Sequence, residues 1–229
     1  MTPGLRVAGV DGFRGRWVIA VVDSGRVTWD LADGVREVLD ATEDCAAVAV
    51  DVPMGLDDAL PRACDRQAKK LLGRAGAAVF PAPLRPYLYA GSHAEAVRIA
   101  HDKGFPGPSI QLWNITPGIR DWDEVLAADP SLQDRIVEAH PEVSFRHLRG
   151  GSFARKVTAR GVGDRLAALR PWVDAATALQ TVPDGPGPDD ALDALACAWS
   201  ARRWAAESAV TLPPDPPSDS RGLLMRIVA

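Results

Sequence analysis

The chain has only three cysteines, Cys45, Cys64 and Cys197, and they stand far apart. That spacing offers neither a CxxC pair for zinc or redox chemistry nor an even-numbered disulfide framework. A reducing compartment is the simpler setting. Long apolar runs are missing too: no stretch approaches the roughly 18 residues that a membrane helix needs. Met1 to Arg6 is short and polar, and Gly9, Asp11 and Gly12 interrupt the apolar residues that follow, unlike an export signal. The expectation is a cytoplasmic protein without a membrane partner. Positive charge is also in short supply, with 26 Lys and Arg against 30 Asp and Glu and a net charge of −4. A general nucleic-acid coating protein is usually basic, so this balance argues against that role.

What remains is ordinary globular material. The sequence has 229 residues, 47% of them hydrophobic, enough for one large α/β domain with a sizeable core. Leu5 to Val10, Trp17 to Val22 and Val27 to Leu31 read as three strands, with Asp23-Ser24-Gly25 as a turn. A short helix is expected at Val35 to Ala41. Ala46 to Val52 is apolar except for Asp51, as a central parallel strand buried on both faces would be. Arg62 to Gly73 is an amphipathic helix. From Phe80 to Pro108 prolines punctuate the chain and leave room for a helix at His93 to His101, with another at about Pro117 to Ala128. Asp134 to Ala139 reads as a strand, Gly161 to Leu169 as a short helix and Asp189 to Ser208 as a long one. Leu223 to Val228 closes the chain as a strand.

Three antiparallel strands followed by parallel ones, with helices on both faces, describe a mixed α/β sheet of the ribonuclease H-like arrangement, which actin-like ATPase domains share. We expect a single domain over residues 1–229, with a helical, Pro-rich elaboration at about 74–132.

The informative feature is where the carboxylates fall. Asp11 follows the apolar strand Val7 to Val10, and Asp51 closes the buried run Ala46 to Val50. Asp190 and Asp193, three residues apart, share one face at the start of the last long helix. A buried carboxylate is costly unless it is paired, protonated or bound to metal. If the first and fourth strands are neighbours, Asp11 and Asp51 lie about 5 Å apart, and a divalent cation would relieve their repulsion. Oxygen donors without His or Cys indicate Mg²⁺ or Mn²⁺ over zinc. Two such ions about 4 Å apart suit phosphodiester hydrolysis by activated water. Each acid also has a plainer reading: Asp11 as a turn residue, Asp51 as a strand-end acid reaching solvent, Asp190 and Asp193 as helix-start acids favoured by the dipole.

The segments GVDGFRGRWVIAVV (Gly9 to Val22), VAVDVPMGL (Val48 to Leu56) and RACDRQAKKLLG (Arg62 to Gly73) carry a family resemblance. It continues through VFPAP (Val79 to Pro83), EAHPEVSF (Glu138 to Phe145), KVTARG (Lys156 to Gly161), DDALDALACA (Asp189 to Ala198) and the ending Asp219 to Ile227. The chain resembles the DUF429 family, described as predicted ribonuclease H-like nucleases. Asp190 to Ala194 is also similar to the last helix of RuvC-type Holliday-junction resolvases, which place two metal-binding acids three residues apart. Those enzymes carry Glu where Asp51 stands here.

The resemblance implies a metal-dependent nuclease or phosphodiesterase acting on nucleic acid or a nucleotide, with Asp11, Asp51, Asp190 and Asp193 holding Mg²⁺ or Mn²⁺. Within it, Glu138, His140 and Glu142 flank the site, one Glu as a ligand and His140 as proton carrier or phosphate contact. A structural role for His140-Pro141-Glu142 competes. Lys156, Thr158, Arg165 and Arg62 offer donors to phosphate, or else balance the acids in a metal-free protein. They belong to two basic groups. One is Arg146, Arg149, Arg155, Lys156, Arg160, Arg165 and Arg170; the other is Arg62, Arg66, Lys69, Lys70 and Arg74. Solvated helix faces would explain either equally well. Two rival readings are a non-catalytic ribonuclease H-like binding module and an actin-like nucleotide-binding protein.

Overall fold

The computed structural model describes residues 5–229. The chain opens with β1 (Val7–Phe13), β2 (Arg16–Asp23) and β3 (Arg26–Ala32), an antiparallel meander. Two-residue turns join the strands, and Arg14-Gly15 and Ser24-Gly25 all take positive φ. This is the turn whose twist matches paired strands. Next come α1 (Val35–Ala41) and β4 (Ala47–Val50), then α2 (Ala63–Leu72), α3 (His93–Asp102) and α4 (Ile110–Ala128). The later elements are β5 (Ile136–Glu138), α5 (Pro141–Arg149), α6 (Ala159–Leu169), α7 (Ala175–Ala178) and α8 (Pro188–Ala205). A short ribbon of β6 (Thr211–Leu212) and β7 (Ile227–Val228) completes the chain.

The main sheet has the order β3-β2-β1-β4-β5, with β4 parallel to β1 and β5 parallel to β4. This is the ribonuclease H-like strand order expected from the sequence. Two compact units form: Met1–Val52 with Asp134–Val210 and Val228–Ala229, and Pro53–Gln133 with Thr211–Ile227. The first holds the whole five-stranded sheet. The second contains the Pro-rich region, where buried Arg85 pairs with Asp123 and Asp219, and Arg221 adds a second cation to Asp123.

In the first unit one sheet face carries Val7, Val18, Ala20, Val22, Ala47, Ala49, Val137 and Ala139 against α5, α6 and α8. Residues of the opposite parity, among them Ala8, Val10, Ile19, Val48, Val50 and Ile136, are buried on the other face. Gly9 sits where α8 presses hardest. A methyl group on it would lie 2.0 Å from the Ala194 carbonyl oxygen and 2.1 Å from the Ala198 nitrogen. Small residues on both sides let a helix backbone rest directly on a strand. That contact fixes both the height and the rotation of α8 over β1.

Three local expectations change. Helix α4 begins seven residues before Pro117 because the Ser109 hydroxyl caps it, accepting from the Leu112 amide. Pro117 is therefore inside the helix. Helix α5 was not expected from the sequence: Pro141, placed at a strand end, instead occupies the first helical turn, where its missing N–H costs nothing. The closing strand is confined to Ile227–Val228.

Gly9→Ala is expected to destabilise the fold by about 3 kcal/mol, because its clashes are with backbone. Gly12→Ala, whose methyl would meet only the Trp17 ring at 3.4 Å, is expected to stay within about 0.5 kcal/mol of wild type. Urea unfolding of the two variants checks the contrast.

Candidate functional site

The β1–β4 ladder pairs Val10 with Val50, and the Asp51 amide donates to the Val10 carbonyl at 2.9 Å. One residue further, Asp11 within β1 and Asp51 just past the end of β4 stand side by side. Alternation puts both on the face of Gly9 and Ala49, toward α8. Asp193 precedes Ala194, the residue whose carbonyl lies over Gly9, so the same contact that seats α8 brings Asp193 to this corner. Asp11 is 6% exposed and Asp193 3%. Asp51 keeps some residue surface while its carboxyl is enclosed.

Burial dominates the electrostatics. It pushes the Asp11 carboxyl well above the ordinary range, and Asp51 and Asp193 push it further while Lys156 opposes. Burial also raises Asp51, against the pull of His140 and Lys156 and a side-chain hydrogen bond with Asp11. Without a cation these two acids behave as one pair sharing a proton. Asp193 is pushed up to about 7 by burial, although Lys156 opposes it. The Lys156 ammonium donates to Asp193 Oδ2 at 2.6 Å and lies 3.9 Å from Asp189. Burial disfavours that ammonium, yet attraction to Asp193, Asp11 and Asp189 outweighs it and raises its pKa. Asp193 Oδ1 is buried and accepts no hydrogen bond.

The other candidates divide between this corner and the framework. Asp190 accepts from the Gly187 amide at 2.8 Å and so caps α8; burial raises its pKa and this bond opposes the rise. His140 precedes α5, its Nδ1 buried without a hydrogen-bond partner, close enough to bear on Asp51. Glu142, in the first turn of α5, bears on Asp51 and Asp193 and is ion-paired to Arg165. Glu138 pairs in register with Val50 and therefore points to the opposite face, away from the acids; its strand parity excludes it from the group.

Thr158 caps α6, accepting from the Gly161 amide at 3.1 Å and donating to the Arg155 carbonyl at 2.8 Å. Arg165, 1% exposed, bonds Glu142 and the Ala154 and Gly161 carbonyls, with Phe145 and Phe153 against its guanidinium. Arg62 belongs to the second unit, where it pairs with Asp65 at 2.6 Å and donates to the Met54 and Gly55 carbonyls. These three side chains are engaged in structure where phosphate contact was expected. Sequence reasoning passed over Asp189, which helps hold Lys156, and Cys197. The buried Cys197 thiol is raised by burial and by the three acids nearby, which makes it inert. Its one signal is the i,i+4 spacing from Asp193.

The donor set fits a hard divalent cation: carboxylate oxygens on two strands and a helix, one of them buried and unbonded. Among the described residues no three His, Cys, Asp or Glu side chains already stand as a ligating group. Asp11 is turned to Asp51, and Asp193 to Lys156.

The raised acids give a signed pH dependence. Folded, they hold protons that the unfolded chain loses near its ordinary value of 3.8. Their contribution to stability is therefore lost as pH rises from about 4 through about 7 and stays lost above. In metal-free buffer, Asp11→Asn is expected to gain melting temperature relative to wild type between pH 5 and pH 8. A difference constant across that window would show that the acids are not strained by ionisation.

Comparison with known proteins adds a family. No curated protein sequence matches the chain. Among solved structures it is similar to the yeast mitochondrial Holliday junction resolvase Ydc2, at 11% identity over 90% of this chain and 81% of that one. The TM-score of 0.34 is too low for that likeness to carry weight. The model of the DUF429 family, described as a protein of unknown function, matches residues 9–218. The chain thus belongs to the DUF429 family.

Proposed function

We propose that the protein is a Mg²⁺- or Mn²⁺-dependent phosphodiesterase that hydrolyses nucleic-acid phosphodiester bonds. The observation that carries the reading is the convergence of Asp11, Asp51 and Asp193, with Asp193 Oδ1 buried and unbonded. A bound divalent cation would supply Lewis-acid activation of water and neutralise phosphate charge. Asp11 and Asp51, held by the ladder, would bind it, with Asp193 from α8 as the third donor. His140, beside Asp51 with its Nδ1 buried and without a hydrogen-bond partner, would face the bound ion's surroundings. Arg155 and Arg160, exposed in the segment that carries Lys156, are free to follow a phosphate backbone. The acidic net charge favours a short or transiently held substrate over long duplex.

A second reading has a specific observation behind it: Lys156 already compensates the acids, as a non-catalytic module with the same fold would require. The two readings part in one assay. Single- and double-stranded DNA, a four-way junction and RNA would be incubated with Mg²⁺ or Mn²⁺ and wild type, Asp11→Asn or Asp51→Asn. Phosphodiesterase function predicts cleavage of at least one substrate, weakening as salt rises and falling by about 100-fold or more in either variant. No cleavage of any of them, or cleavage that Asp51→Asn retains, would favour the non-catalytic module.

A further inference from the structure

We infer that Lys156 is a built-in competitor for the divalent cation: its ammonium occupies the α8 side of the acid cluster, and full ligation by Asp193 requires the lysine to leave. This rests on the reading of the acids as a metal site. Lys156 Nζ lies 2.6 Å from Asp193 Oδ2 and 3.9 Å from Asp189 Oδ2, bridging two acids one turn apart on α8. The Asp193 carboxylate thus has one oxygen on the lysine and the other buried and unbonded. Among the described residues no three carboxylates already stand as a ligating group, and the acid from α8 is turned to the ammonium.

The surroundings let the side chain move while its backbone stays. Backbone on both sides of Lys156 is tied down: the Ala154 amide donates to Asp164 Oδ2 at 3.2 Å, Arg165 donates to the Ala154 carbonyl, and the Thr158 amide donates to the Arg155 carbonyl. The Lys156 side chain is 43% exposed and its partner Asp193 4%. A lysine stem has four rotatable carbons and a strongly hydrated head, so it can swing into solvent without moving the loop. A carboxylate as enclosed as Asp193 cannot follow it. Binding a divalent cation at Asp193 therefore replaces a singly charged ammonium with a doubly charged ion and leaves no buried anion uncompensated at either end state. Unloaded protein keeps its acids paired; loaded protein releases the lysine toward solvent, where a substrate phosphate can meet it.

Isothermal titration of Mn²⁺ into metal-free wild type, Lys156→Met, Lys156→Arg, Arg155→Met and Asp51→Asn tests this. Lys156→Met is expected to bind Mn²⁺ at least about 10-fold more tightly than wild type, a difference of about 1.4 kcal/mol. Lys156→Arg, which keeps a competing cation, is expected to stay near wild type. Arg155→Met removes an equal charge from the adjacent exposed position and is expected to change affinity by less than about twofold. Affinity for Lys156→Met equal to or below wild type overturns the inference, as does an equal gain in Arg155→Met, which would make the effect one of net charge. If wild type and Lys156→Met bind equally and Asp51→Asn abolishes binding, the metal-site reading survives and the competitor does not. If no variant binds Mn²⁺, both fall. Circular dichroism of each variant confirms folding before titration.

Discussion

The site depends on a close approach between backbones, α8 against β1 at Gly9. Nothing larger than hydrogen fits between that glycine and the Ala194 carbonyl. The contact sets the position of Asp193 relative to Asp11, and the β1–β4 ladder independently sets Asp51 beside Asp11. Two rigid constraints thus assemble three acids drawn from distant parts of the chain. Ala191, Ala194, Ala198 and Ala201 along α8 make the approach possible, and alanine maintains the helix without added bulk.

Placing acids at that corner has an electrostatic consequence. Buried carboxylates repel one another and lose water, so each holds its proton to a higher pH than usual. The structure limits the cost in two ways: a proton shared between Asp11 and Asp51, and a lysine set against Asp193. Glu142 is balanced separately by Arg165, whose guanidinium also ties the segment before α6 to that helix. The corner thus combines strained acids with provisional partners, as a site built to receive a cation would.

Much of this was legible in the sequence, for identifiable reasons. The meander showed because its strands are rich in β-branched and aromatic residues and end in Gly turns, and β4 because Ala47 to Val50 is apolar on both faces. Asp11 and Asp51 stood out as charges at the ends of apolar runs, which only a strong local reason permits. Asp190 and Asp193 looked equivalent by spacing, yet one caps the helix and the other is buried against Lys156 at the acid corner; three residues of separation cannot distinguish the two. Glu138 and Glu142 looked like a matched pair around His140, but strand parity sends Glu138 to the far face while the turn into α5 keeps Glu142 near. That turn was hidden because Pro141 reads as readily as a stop as a start. The roles of Arg165 and Thr158 depend on contacts across tens of residues or on cap geometry, neither of which charge patterning reveals.

The central claim is that Asp11, Asp51 and Asp193 form a divalent-cation site. Anomalous diffraction from crystals grown with Mn²⁺ tests it most directly. The account predicts a manganese peak at ligating distance from both Asp11 and Asp51, with Asp193 turned to the ion and the Lys156 ammonium withdrawn from it. Manganese found only elsewhere, with Asp11 still bonded to Asp51 and Lys156 still on Asp193, would contradict it.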